Sequence, residues 1–173
     1  NNDKVGAILF TDQVERYIPP QKGSGHVWRV IKEIFSHAPQ HTGTDISGAV
    51  AYLGRVCRKR SVAFVISDFI VAGGGAVVDR AMRAVSRKHE LIQVRISDPG
   101  QFELPGAGIV TVQDLETGRR VRLDAGHART RRLYAEGRAA AHQAVADQFK
   151  AANLDCIEIS TAGSAADALT RYF

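Results

Sequence analysis

The chain has 173 residues, 45% hydrophobic and 24% charged, with 23 Lys and Arg against 18 Asp and Glu for a formal charge of +5. That length suits one ordinary globular domain, and the composition sits near the soluble average of about 45–50% apolar and about 25% charged. Disorder, collagen and an end-to-end coiled coil are excluded as whole-chain descriptions, and a domain of this size needs no disulfide or metal staple to close its core.

Residues 4–10, KVGAILF, form a short apolar run that reads as a buried, parallel-type strand. Residues 14–18, VERYI, alternate and then meet Pro19-Pro20, which suits an edge strand returning as a hairpin. Val27, Val30, Ile31, Ile34 and Phe35 recur at helical spacing, so a helix is expected over 26–37, with Trp28 beside its apolar stripe and packed in the core. Thr44-Asp45 open the clearest amphipathic helix, carried by Ile46, Ala49, Val50, Leu53 and Val56. Residues 62–67, VAFVIS, read as a second central strand ending at Asp68. Gly73-Gly74-Gly75 read as a loop, followed by a helix from about 76 to 89, and residues 91–97, LIQVRIS, as a third parallel-type strand. Alternating runs at 109–113 and 120–123 around Glu116-Thr117-Gly118 predict a small added hairpin. A long helix over 128–151 should bury a stripe from Leu133 through Gly137, Ala141, Ala144, Val145 and Gln148 to Phe149. Leu154 to Ile159 close the sheet, and Ser164 with Asp167 caps a final helix running to Tyr172. Strands alternating with helices give an α/β fold with a mostly parallel sheet.

The basic residues fall in four groups: Arg55/Arg58/Lys59/Arg60, Arg80/Arg83/Arg87/Lys88, Arg119/Arg120/Arg122 and Arg129/Arg131/Arg132. They are scattered and lack the interleaved aromatics of a base-stacking surface, so they read as solvated helix faces and no nucleic acid is expected. Cys57 and Cys156 lie in apolar stretches without metal-type spacing and read as buried free thiols in a reducing compartment. No basic region followed by an apolar segment opens the chain, and a cytoplasmic setting is the expectation. Residues 61–78 imitate a membrane span, but Asp68 in the middle and the glycines after it argue for strand, loop and helix start.

In open α/β sheets ligands bind at the carboxyl ends of the strands. Thr11-Asp12, Ser67-Asp68 and Ser97-Asp98 sit at such ends, and Thr42-Gly43-Thr44-Asp45 opens a helix. Hydroxyls and carboxylates converging there suit a hard divalent cation, whereas an Asp after a strand also commonly caps the next turn. The sequence has no HExxH, no GxSxG, no Walker lysine behind its glycine run, and no evident base beside either cysteine. The six histidines, His26, His37, His41, His89, His127 and His142, read as surface or cap residues.

The stretches DKVGAILFTDQVERYIPPQKG at 3–23, TGTDISGAVAYL at 42–53, RSVAFVISDF at 60–69 and ISDPGQFELPGAGIVTVQDLETG at 96–118 resemble the bacterial domain-of-unknown-function family fifty-eight. That family has a von Willebrand factor A-like core. The resemblance implies a three-layer Rossmann-like domain over 1–173, and a metal-ion-dependent adhesion site for Mg²⁺ or Mn²⁺. Thr44 and Asp68 match two of the family's metal ligands, and Thr11, Asp12, Gly43, Asp45 and Ser67 would face a partner nearby. The DxSxS loop of the family occurs nowhere in the chain. The expectation is therefore a domain lacking its first strand and that loop, with no tightly held metal. Residues 4–10 and 62–67 would then pair directly or through a strand-mediated homodimer. The resemblance further implies a non-enzymatic protein-interaction module working with a MoxR-type AAA+ ATPase in complex assembly or maturation. Relatives often carry membrane helices ahead of this domain, while this stretch itself should make no direct membrane contact. Two alternatives remain: a metal-dependent phosphatase or hydrolase using Asp68 and Asp12, and nucleic-acid binding through the basic helices.

Overall fold

A computed structural model describes residues 3–70, 75–113 and 118–173. The expected glycine loop (residues 73–74) and hairpin turn (residues 116–117) lie outside the described residues. The chain divides into two compact units, Asn1–Lys59 and Arg60–Phe173.

In the first unit, β1 (Val5–Phe10) and β2 (Val14–Gln21) form an antiparallel pair, followed by α1 (Ser24–Ser36) and α2 (Ile46–Val56). The strand over 4–10 is thus a half-buried member of a two-stranded ladder and not a parallel strand buried on both faces. β2 continues through both prolines to Gln21, past the expected end at Ile18. The register slips between Val5 and Ala7, and Gly6 occupies that irregularity. A Cβ on Gly6 would lie 2.6 Å from the Ile18 carbonyl oxygen and 2.9 Å from the Pro20 nitrogen. The missing side chain is what lets the proline segment run so close, in a ladder irregularity where proline's lack of an N–H does little harm. The core of this unit is Ile18, Val30, Ile46, Ala49 and Val50, with Tyr17 edge-on to Tyr52 at 5.7 Å. Trp28 is not part of it. Val30 is 5% exposed, but Trp28 is 70% and Phe35 86% exposed. The apolar arc of α1 is wider than the surface it packs on, and Trp28 falls on its outer margin.

In the second unit the elements are β3 (Val62–Ser67), α3 (Arg80–Ser86), β4 (Glu90–Ser97), a 3-10 turn (Pro99–Phe102), β5 (Ile109–Gln113), β6 (Arg120–Asp124), α4 (Ala128–Ala151), β7 (Asp155–Ser160) and α5 (Ala165–Tyr172). β3, β4 and β7 form a parallel sheet in the order β3-β4-β7, and β5 and β6 form the expected hairpin. The fold is mixed α/β. β3 is an edge strand of this sheet and β4 its centre, so the central place expected for 62–67 belongs to 90–97. Within the units, β1 pairs with β2, and β3 with β4.

One sheet face packs Ile92, Val94 and Ile157 beneath Ala168 and Tyr172 of α5. The helix expected over 76–89 is confined to 80–86 for a hydrogen-bonding reason. The Val77 and Val78 amides donate to the Gln148 side-chain oxygen at 2.8 and 3.2 Å, and the Asp79 carboxylate caps the Met82 amide at 2.8 Å. His89 is no surface residue. It is 2% exposed, neither ring nitrogen has a hydrogen-bond partner among the described residues, and burial pushes its pKa down, with Lys88 adding to the effect. The stripe expected on α4 is buried only at Phe149, while Leu133 is 54% exposed. Both cysteines are half-buried, not fully buried.

Candidate functional site

Two polar segments of the first unit meet at the end of β1. The Asp45 amide donates to the Thr11 carbonyl at 2.7 Å, which ties the start of α2 to the β1–β2 turn. Gly43 has φ +92°, a conformation that favours glycine, and a Cβ there would stand 3.5 Å from the Asp12 Cβ. Asp45 caps α2 by accepting the Gly48 amide at 2.9 Å. Its carboxylate is therefore structural, as caps are. The Thr44 hydroxyl has no hydrogen-bond partner among the described residues, and its side chain is half-buried.

The organising residue here is one that sequence reasoning missed, Glu15. Its carboxylate accepts from the Thr11 hydroxyl at 2.9 Å, the His41 amide at 2.9 Å and the Gln40 amide at 3.0 Å, with His37 Nε2 at 2.6 Å. Burial pushes this carboxyl up, but the hydrogen bonds from His37, His41, Thr11 and Gln40 outweigh it and hold the pKa at about 2. Glu15 thus fixes the loop leading into Gly43-Thr44-Asp45. Its only trace in the sequence is an acidic residue in the alternating run VERYI at 14–18.

In the second unit Ser67 and Asp68 end β3. The Ser67 hydroxyl accepts the Phe69 amide at 3.0 Å, and Asp68 Oδ1 accepts the Ile70 amide at 3.1 Å. Phe69 is in the left-handed region with φ 54°, and its ring is 1% exposed and edge-on to Phe149 at 5.0 Å. A non-glycine residue in that conformation is held there by its surroundings. Asp68 is exposed, and it borders a cavity of about 260 Å³ that Arg95, Phe102, Arg138 and His142 also line. Arg95 is 1% exposed. Its Nε lies 3.1 Å from Glu158 and its terminal nitrogens donate to the His142 carbonyl at 3.0 Å. Burial lowers the His142 pKa, and the Arg95 charge adds to that. Asp98 is spent on the Gly100 amide at 2.8 Å.

Thr11, Asp12, Gly43, Thr44 and Asp45 thus share one unit, and Ser67 and Asp68 belong to the other. The donors expected to ligate metal amount to one neutral hydroxyl and one carboxylate with an oxygen already engaged. A hard divalent cation wants about six oxygen ligands, so this set does not fit a resident metal. Among the described residues, no three His, Cys, Asp or Glu side chains group as metal ligands. Nor is there an activated thiol at Cys156: burial, with Glu158 beside it, pushes its pKa up to about 11.

A model of the family described as protein of unknown function DUF58 matches residues 1–145. Uncharacterized protein Rv1480 of Mycobacterium tuberculosis is 30% identical over 118 residues, 67% of this chain and 36% of that protein. Uncharacterized protein MAV169 of Mycobacterium avium is 32% identical over 103 residues, 58% of this chain and 59% of its own length. The chain spans about a third of the length of relatives such as the M. tuberculosis protein. Among solved structures, an aerotolerance-related membrane protein from Bacteroides fragilis matches with a TM-score of 0.58 at 21% identity, covering 99% of this chain and 79% of that one. BatB from Bacteroides thetaiotaomicron matches with a TM-score of 0.58 at 17% identity, covering 99% and 77%. At such identities the likeness is one of fold. Among the described residues, no helix is long and apolar enough to cross a membrane.

Proposed function

The chain belongs to the DUF58 family, and on that premise we propose that it is a non-catalytic protein-interaction module of von Willebrand factor A-like type, on the cytoplasmic side. The observation that carries this reading is the state of the strand-end polar residues. Their backbones are pinned by the bonds of Glu15, Asp45 and Ser67, while among the described residues nothing engages the Thr44 hydroxyl or the second Asp68 oxygen. The Thr11 hydroxyl meets Glu15, whose pKa of about 2 makes it a poor general base, so these rigid polar groups suit docking better than bond cleavage.

Each unit by itself offers partner-facing residues: Thr11, Asp12, Gly43, Thr44 and Asp45 in the first, and Ser67 and Asp68 in the second. The partner implied by the family resemblance is a MoxR-type AAA+ ATPase acting in complex assembly or maturation. A Mg²⁺ or Mn²⁺ requirement is proposed only for a longer chain that adds further oxygen ligands.

The test is binding of this chain to a purified MoxR-type ATPase, measured by calorimetry with and without Mn²⁺, alongside hydrolysis of p-nitrophenyl phosphate. Binding that weakens about tenfold or more in Asp68→Ala supports the reading, since losing one charged contact at a docking site costs on that scale. Phosphate release that depends on Asp68 would replace it with the metal-dependent phosphatase alternative.

A further inference from the structure

The outer margin of α1 carries an apolar ridge that the interaction surface above does not use. Trp28, Ile31 and Phe35 are spaced i, i+3, i+7 and so stand in one line along the helix. They are 70%, 36% and 86% exposed, and Ile34 beside them is 46% exposed. A soluble surface rarely lines up that much aromatic area without a use. The charges bordering the ridge are of one sign. Lys32 lies one turn from Trp28, Arg29 is its neighbour one turn back, and Lys22 precedes the helix; all three are exposed. The acid on this helix, Glu33, is engaged by Arg16 at 3.1 Å.

From this arrangement we infer that α1 docks on an anionic lipid surface. Three features favour lipid over a protein groove. The ridge is convex, and headgroups part around a convex ridge without needing a matching cleft. Its residues are Trp, Phe and Ile with Lys and Arg at the margin, the composition of a helix lying in the plane of a membrane interface. Its cations are placed to meet anionic headgroups while their stems lie along the apolar arc. This differs from the sequence expectation of no membrane contact, which rested on the lack of a spanning segment. A helix of 13 residues needs no span to lie on a surface.

Trp28 is the single tryptophan of the chain, so its emission reports on this ridge alone. The experiment mixes the protein with vesicles of phosphatidylglycerol and phosphatidylcholine, or of phosphatidylcholine alone. It records Trp28 emission and co-sedimentation at low and high salt. Anionic vesicles should move the emission to shorter wavelength and pull the protein down, and salt should weaken both. Phe35→Ser should weaken the partition roughly tenfold or more, the loss expected for one buried aromatic. Arg29→Glu with Lys32→Glu should weaken it about fivefold per charge or more. These side chains are exposed, so the variants should keep the wild-type circular dichroism and melting temperature. An unmoved emission maximum overturns the inference. So does co-sedimentation that Phe35→Ser leaves intact, which would assign it to another basic patch. An emission shift that needs an added protein partner overturns it as well and makes the ridge a protein interface.

Discussion

β3 and β4 are neighbours in one parallel sheet, and β3 is the more apolar of the two, VAFVIS against ELIQVRIS. Their surroundings differ. On β4, Leu91, Ile92, Gln93, Val94 and Arg95 are all at most 4% exposed. On β3, Val62, Phe64 and Ile66 are 53%, 45% and 61% exposed, and Val65 alone is buried. The register sets Phe64 beside Ile92 and Ile66 beside Val94 on one face, and Ala168 and Tyr172 of α5 pack against the cluster of Ile92, Val94 and Ile157. An apolar run therefore records that a strand can be covered on both faces. It does not record which strand receives the covering helix.

The comparison breaks most sharply at Ile92. Ile92→Ala should cost about 2–5 kcal/mol in urea unfolding, because a fully enclosed side chain leaves a cavity that its neighbours only partly close. A cost below about 1 kcal/mol would mean that the β4 face is looser than its burial implies. Next comes pH. His89, at the entry to β4, is held neutral by burial, so its folded pKa lies below the ordinary 6.5. A base with a lowered folded pKa binds fewer protons folded than unfolded. Its stability contribution is complete above about 6.5 and is lost as pH falls from there toward the folded value. Melting temperatures should therefore drop between about pH 7 and pH 5, and His89→Leu should flatten that slope, leaving a residue from His142, whose pKa is lowered in the same direction. The smallest effect belongs to β3. Ile66→Thr should change stability by no more than about 0.5 kcal/mol, as exposed positions do. A larger loss would show that the exposed β3 face is covered in solution, as a strand-mediated homodimer would cover it.

Much of the fold was legible because periodicity and caps are local. Ser164 caps α5 through the Asp167 amide at 3.2 Å, and α4 spans 128–151 as its spacing says. What was not legible depends on contacts distant in sequence. The late start of α3 comes from Gln148, about seventy residues away. The burial of His89 and the exposure of Trp28 depend on how far a neighbouring surface extends, which no single segment encodes. At the site, the strand-end polar residues were readable from their position after apolar runs. The role of Glu15 was not, because its donors at His37, Gln40 and His41 arrive from a loop beyond α1.

The backbone at Phe69 has a consequence for how Asp68 is presented. The residue directly after this surface carboxylate is anchored by its ring against Phe149 of α4 while its φ is 54°. The height of Asp68 above the sheet is therefore gauged from inside the protein, with the aromatic pair acting as the foot of a post. A change at Phe149 that leaves the surface chemically untouched would tilt that post, and a partner would register it as an altered surface.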